Sequence, residues 1–416
     1  MAHGGDAVDL GRRYAEVRAL TEALAEPLSP EDQMVQSMPD VSPTKWHRGH
    51  TSWFFETFLL QPFLKGYETF HPSFAYIFNS YYETVGARHP RPERGLISRP
   101  GGAEVARYRR HVDRAMGALL DTALEADTAA LVELGVNHEQ QHQELILMDI
   151  KHVLSRNPLR PAYHCTAPRP AGRSMAPGWL EHPGGPVEVG HAGPGFAFDN
   201  ESPRHVVHLT PFALADRLVT CGDWLEFMAD GGYSRHELWL SDGWALCQQQ
   251  GWQAPLYWTT TEGRADQWQI FTLGGEQPLD PAEPVCHVSY YEADAFAHWT
   301  GARLPSESEW ETLAPSGPVE GHLLDPAALH PAPGGSGHQL FGDVWEWTQS
   351  AYSPYPGFRT APGAVGEYNG KFMVNQYVLR GGSCATPIGH VRSTYRNFFP
   401  ASAQWAFSGL RLARDL

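Results

Sequence analysis

The sequence predicts two domains of different construction: a helical bundle over residues 1–157 and an irregular α+β domain over residues 179–416, joined by a linker at 158–178. Three observations predict this. A chain of 416 residues is more than one hydrophobic core ordinarily organises. Its first part repeats apolar residues every three or four positions, the period of one helix face. From Arg156 the pattern changes. Pro158, Pro161, Pro168, Pro170 and Pro177 mark a linker, and short β-type runs follow between loops rich in Gly, Pro and Trp.

Helical periodicity runs through Asp9–Leu24, Gly102–Leu120 and Thr128–Leu154, and the apolar stretch Thr51–Leu64 reads as a buried helix. Ser29-Pro30-Glu31-Asp32 has the signature of a helix start: serine at the cap, proline at the first position, acids in the first turn. Four helices with polar connections make a bundle. The exception is Lys65–Arg99, which carries aromatics and then arginines. A loop that long inside a domain is functional or disordered, and this one is too aromatic for disorder. In the second domain Val187-Glu188-Val189, Val206–Leu209 and Tyr377–Arg380 read as strands, with Tyr377 buried, and Tyr291–Trp299 reads as a helix.

Composition narrows the function. With 31 Lys and Arg against 47 Asp and Glu, the formal charge of −16 tells against nucleic acid as a partner, because phosphates need a basic face. No run approaches the ~18 apolar residues of a membrane span. The segment Met1–Leu20 lacks the apolar core of a secretion signal. The five cysteines (Cys165, Cys221, Cys247, Cys286, Cys384) are scattered and form no CxxC. A disulfide framework or zinc knuckle is therefore not expected, and reduced thiols in a cytoplasmic protein are. The oligomeric state is left open.

Twenty-one histidines stand out, since imidazole is the common ligand of zinc, iron and copper. Asn137–His152 reads NHEQQHQELILMDIKH. His138 and His142, four apart, lie one above the other on a helix and can share a metal. Glu144 completes an HxxxHxE string, but at about 100° per residue it points roughly 120° away from His138, so a supporting role suits it better. The same residues fit the HExxH pattern of zinc proteases, with Glu139 in the place of the base; that pattern fixes only three residues. A third ligand has to come from another helix. Pro43–Glu56, PTKWHRGHTSWFFE, offers His50, which heads the apolar helix and can point into the bundle, and His47, a turn earlier, which can face solvent. Three histidines facing a bundle core make an open site for iron or zinc.

Further strings carry a family resemblance: PVCHVSYY at Pro284–Tyr291, GARLPSESEWE at Gly301–Glu311, GDVWEWTQS at Gly342–Ser350, RGGSCATPIGHVRSTYRNFF at Arg380–Phe399 and FSGLRLAR at Phe407–Arg414. With these, the second domain resembles the formylglycine-generating-enzyme (sulfatase-modifying factor) fold, a C-type-lectin-like α+β domain. The first resembles a DinB-type four-helix bundle. Combined with GHTSWFFE at Gly49–Glu56 and HEQQHQE at His138–Glu144, their order resembles the ergothioneine sulfoxide synthases, non-heme iron enzymes that join a thiol to hercynine with O₂. The resemblance covers nearly the whole chain. One departure matters. Formylglycine-generating enzymes carry paired cysteines shortly after RGGS, whereas Thr386–Val391 holds none and Cys384 stands alone. Copper-dependent cysteine oxidation is therefore not expected, nor is a methyltransferase extension of the ovothiol-synthase kind.

The resemblance implies an oxidoreductase with Fe(II) on His50, His138 and His142 and three small-molecule substrates: hercynine, cysteine and O₂. Three neutral imidazoles leave three cis positions of an octahedral ion open. Gln141 is similar to the family glutamine that hydrogen-bonds the hercynine imidazole, and Asn397 to the asparagine at the hercynine end. The quaternary ammonium of hercynine favours cation–π contact, which Phe398 and Phe399 can supply. The donor carboxylate suits an arginine fork, and ARHPRPERG offers Arg88, Arg91 and Arg94. In the branch with paired tyrosines two arginines three apart follow, which selects Arg91 and Arg94. That branch takes cysteine directly and draws its catalytic acid from the tyrosine pair, here Tyr82 with Tyr81 in support. The alternatives are the same chemistry on γ-glutamylcysteine, a selenoneine- or ovothiol-type synthase and, more remotely, a zinc-dependent thiol transferase.

Overall fold

The computed structural model describes residues 3–165, 176, 178–261, 264–315, 317–334, 338–361 and 363–416. The chain divides into a helical unit, Met1–Tyr163 with Ala361–Tyr368, and a second unit, His164–Thr360 with Asn369–Leu416. Of the expected linker at 158–178, residues 166–175 and 177 lie outside the described residues.

The helical unit is built on α1 (His3–Ala25), α2 (Thr44–Phe55), α3 (Gly102–Leu120) and α4 (Ala126–Ser155). Three of these follow the apolar periodicity. The fourth corrects it: α2 begins at Thr44 rather than Thr51 and continues through a π-helical turn, Glu56–Leu60, to Phe63. Every residue of α2 is buried, Lys45, His47, Arg48 and His50 included. A helix with no solvent face shows no amphipathic period, so its polar first half does not look helical. The Ser29–Asp32 start is present only locally. Ser29 Oγ accepts the Asp32 amide at 3.1 Å, but a single 3₁₀ turn, Asp32–Met34, follows.

The core between the helices is aromatic, with Trp53, Phe54, Phe55, Tyr108, Met116, Val132 and Val136 buried together. Full burial of a large apolar side chain contributes about 1.5–3 kcal/mol. Gly135 lets α4 approach this layer, since a Cβ there would lie 2.6 Å from the Phe55 ring. That packing offsets the ~1 kcal/mol helix penalty of glycine. The aromatic segment Lys65–Arg99 joins the same core through Phe74, Phe78 and Tyr82, with a short helix at Phe74–Phe78 and a 3₁₀ segment at Arg91–Leu96. Ala361–Tyr368 also belongs here: the Glu367 carboxylate accepts the Glu83 and Thr84 amides at 2.9 and 3.0 Å.

The second unit is loop-rich α+β. Among the described residues, β1 (Trp179–His182), β4 (Phe212–Ala215) and β12 (Ala413–Asp415) form one sheet, in the order β1-β4-β12. The hairpin β2 (Gly185–Val189) and β3 (His205–Leu209) stands apart, as does the meander β5 (Trp258–Thr261), β6 (Arg264–Thr272), β7 (Gly275–Pro278). A fourth sheet, in the order β10-β9-β8-β11, combines β8 (Trp345–Ala351), β9 (Gln376–Arg380), β10 (Asn397–Pro400) and β11 (Ser408–Gly409). Its helices at Cys221–Ala229, Tyr290–Trp299 and Glu307–Leu313 each start with a reciprocal capping box. The three strand runs read from the sequence fall on β2, β3 and β9. Tyr377, expected to be buried, is only half-buried and stacks on Tyr290 at 3.8 Å. Buried arginines hold the loops: Arg396 on Glu307 at 2.8 Å and Arg411 on Glu346 at 2.9 Å. None of the five cysteines is in a disulfide. No helix among the described residues is long and apolar enough to cross a membrane.

Candidate metal centre

Four-residue spacing puts His138 and His142 on one face of α4, and α2 brings His50 against them. All three are buried, and their candidate ligand nitrogens lie within 4.8 Å of one another. His50 Nε2 and His138 Nε2 are 3.2 Å apart. Two cis nitrogens on a metal at about 2.1 Å would be roughly 3 Å apart, so this spacing fits. The His50 ring is fixed from several sides. Its Nδ1 bonds the Phe78 carbonyl at 2.6 Å, which leaves the Nε2 lone pair toward the other histidines. Trp46 and Trp53 stack on its two neighbouring sides at 4.6 and 5.4 Å, with interplanar angles of 10° and 18°. Gly49 admits Phe78, because a Cβ there would sit 2.2 Å from the Phe78 ring.

Burial pushes all three imidazoles below their ordinary pKa, His138 to about 3. They are neutral at neutral pH, the form that binds metal. The donor set is three neutral nitrogens, suited to a first-row ion such as Fe(II) or Zn(II). Among the described residues no other His, Cys, Asp or Glu group has ligating spacing, and Glu144 is outside this one.

Two readings are corrected. Glu139 is not a protease-type base. One residue on from His138, it faces α1 and α3, where its carboxylate meets Arg18 at 2.8 Å, Arg109 at 3.0 Å and Thr21 at 2.7 Å. Burial opposes its ionisation, yet the two arginines hold its pKa down at about 2. His47 does not face solvent. It is 2% exposed, with Nδ1 2.8 Å from His142 Nδ1 and Nε2 3.0 Å from Asp149 Oδ2.

The three arginines separate. Arg88 pairs with Glu83, and Arg91 is exposed and donates to the Asp40 carbonyl. Arg94 is buried, donates to Ser42 Oγ at 2.8 Å, and lies 3.3 Å above the Trp46 ring that stacks on His50. No carboxylate contacts it among the described residues, and its Nε is unpartnered. Burial therefore holds its pKa well below the usual guanidinium value. Gln141 lies between His138 and His142, half-buried. Tyr82 is buried between Trp53 and Phe58, with ring centroids at 5.5 and 5.2 Å. Burial raises its pKa, and the Tyr81 ring stacks on its own at 4.8 Å. In the second unit, Asn397 Oδ1 accepts the Phe398 amide, Phe398 stacks on Tyr352 at 4.1 Å, and Phe399 meets Trp405 edge-on.

Sequence reasoning missed Trp46, Phe78, Asp149 and Tyr368. Asp149 had a signal, lying two helical turns beyond His142 on the same face. Tyr368 had none. It arrives from far along the chain, with its ring 5.7 Å from His138 and 6.0 Å from Tyr81.

Comparison with known proteins covers both units. Residues 13–153 match the DinB superfamily, and residues 165–332 and 325–416 match the sulfatase-modifying factor enzyme 1-like domain. The chain is 32% identical to the hercynine oxygenase of Mycolicibacterium thermoresistibile over 98% of its own length and 95% of the relative's. It is 35% identical to that of Mycolicibacterium smegmatis, over 71% of this chain and 74% of the relative. For the Mycobacterium tuberculosis protein of the same name the figures are 33%, 75% and 78%.

Proposed function

The chain belongs to the hercynine oxygenase family of ergothioneine sulfoxide synthases, which are oxygen-dependent oxidoreductases, and from that premise we propose that it joins hercynine to cysteine with Fe(II) held by His50, His138 and His142. The reaction balances as one hercynine C–H, one cysteine S–H and one O₂ giving a C–S bond, a sulfoxide oxygen and one water. Held by these three histidines, iron would supply the redox chemistry that makes O₂ reactive; the residues of the chain would bind, orient and move protons.

The observation that carries this reading is the pairing of the buried, neutral triad with Arg94, which no carboxylate contacts among the described residues, one ring away. A carboxylate reaching Arg94 gains a charge-assisted bond and relieves a buried cation. Free cysteine is short, so its thiol and carboxylate require metal and cation close together. Arg91, near enough to depress Arg94 further, is the second cation of the proposed donor site. Gln141 is proposed to hydrogen-bond the hercynine imidazole. Asn397, Phe398 and Phe399 are proposed hercynine contacts in the second unit. Tyr82, held protonated by burial, is the proposed acid, supported by Tyr81. The thiols accord with a cytoplasmic setting.

An aerobic assay of Fe(II)-loaded protein with hercynine and each thiol, read by mass spectrometry, tests this. Hercynylcysteine sulfoxide is the expected product, and His50→Ala, His138→Ala or His142→Ala should abolish both bound iron and product. A markedly higher kcat/KM with γ-glutamylcysteine would reassign the donor. Anaerobic thiol transfer with Zn(II) would reassign the reaction.

A further inference from the structure

We infer that His47 and Asp149 form a positioning relay that fixes the tautomer of His142 and so presents its Nε2 lone pair to the metal. This rests on the reading that the triad holds a metal. The chain of protons follows from the contacts. Asp149 Oδ2 accepts the Ser42 amide at 2.7 Å and lies 3.0 Å from His47 Nε2, so His47 Nε2 carries the hydrogen. A neutral His47 then has its lone pair on Nδ1. That atom is 2.8 Å from His142 Nδ1, which must therefore be the donor. His142 is left with an unprotonated Nε2, the atom available for ligation.

The arrangement extends the familiar carboxylate–histidine–metal pattern by one imidazole. It also spans both ligand-bearing helices, because His47 lies one turn before His50 on α2 and Asp149 two turns after His142 on α4. All of these groups are at least nine-tenths buried, so water does not compete for the bonds. Trp46 closes the other side, with its ring 5.7 Å from His47 and 6.3 Å from His142. His50 receives the equivalent constraint from the Phe78 carbonyl. Among the described residues the Nδ1 of His138 has no partner. Two of the three ligands are thus held in the metal-binding tautomer before metal arrives.

The test uses the full chain stripped of metal, titrated with Co(II) and read by ligand-field absorption and chelator competition. The metal-free unfolding temperature is recorded alongside. Asp149→Asn and His47→Phe should weaken Co(II) binding by about 10–100-fold and shift its bands. His47→Gln should recover most of the affinity, because an amide oxygen can still accept from His142 Nδ1. Wild-type affinity and spectrum in all three variants would overturn the relay. Equal loss in His47→Phe and His47→Gln would also overturn it and make His47 a packing residue. If His47→Phe unfolds early without metal, Asp149→Asn against His47→Gln decides. His50→Ala separates the two readings. If it binds Co(II) like the wild type, the triad is not the metal site; if it alone loses binding, only the relay is wrong.

Discussion

Gly49 determines which nitrogen of His50 faces its partners. Without a side chain at 49 the Phe78 ring packs onto α2, and the Phe78 carbonyl then takes the His50 Nδ1 hydrogen. Gly49→Ala inserts a methyl group into occupied space, an overpacking cost of typically 1–3 kcal/mol. It should lower the metal-free unfolding temperature and weaken Co(II) binding together; unchanged values of both would show that Phe78 can move aside freely. Arg94 makes the opposite kind of prediction. Removing a buried, unpaired cation should not destabilise the fold, while losing its bond to a carboxylate of roughly 1.5–3 kcal/mol should raise the cysteine KM. Arg94→Leu is therefore expected to keep or raise the unfolding temperature and to weaken cysteine selectively over hercynine in steady-state kinetics. Tyr82→Phe should keep the metal and both substrates but lose proton delivery. Product should move from the sulfoxide toward cysteine sulfinate, in which both oxygen atoms end on sulfur. Mass spectrometry reads the ratio, and the same shift in Tyr81→Phe or Tyr368→Phe instead would reassign the acid.

Helix α4 carries different chemistry on neighbouring faces. One holds His138, His142 and Asp149. The next turns Glu139 into a buried ion network that reaches Arg18 on α1 and Arg109 on α3. Arg18 also bonds Ser52 on α2, so one carboxylate is linked to every helix of the bundle. Deleting one partner of such a network strands the others in the interior, which costs about 3–5 kcal/mol. Glu139→Gln should therefore lose several kcal/mol in denaturant unfolding followed by circular dichroism. A loss below about 1 kcal/mol would mean that solvent reaches the two arginines. This also explains why HExxH misleads here: on a helix the glutamate after the first histidine is rotated off the metal face, and its partners decide its role.

At the scale of the whole molecule, the second unit supplies a dependence on pH. His390 is 1% exposed with its Nε2 on Tyr395 Oη at 3.1 Å, and burial, then Arg392, push its pKa to about 3. The unfolded chain takes up that proton near pH 6.5 and the folded unit does not. The contribution of His390 is therefore complete above pH 6.5 and falls by up to ~1.4 kcal/mol per pH unit below it, until the folded form titrates near 3. Between pH 6.5 and 4.5 this group alone should cost the unit roughly 2–3 kcal/mol. Denaturant titrations at the two pH values measure it, and His390→Gln should flatten the difference. An identical loss in the variant would assign the acid sensitivity to other groups.

What the sequence by itself determined is what local periodicity and spacing encode. The helices α1, α3 and α4 and the i, i+4 histidine pair follow the 3.6-residue period, and the strands β2, β3 and β9 are short β-type runs, so both are written in residues that are neighbours in the chain. His50 was legible for the same reason, standing at the head of an apolar run. Only tertiary structure decided the rest, because it depends on contacts between distant segments. The start of α2 was hidden by complete burial, which erases amphipathic contrast. The turn of His47 inward depends on Asp149, 102 positions away. The isolation of Arg94 is a fact about which carboxylates do not reach it. The arrival of Tyr368 beside His138 comes from a segment that returns to the helical unit after most of the second unit has been formed. Spacing along a helix brings two candidate ligands together; their tautomer, charge and surroundings are set by the groups that burial packs around them.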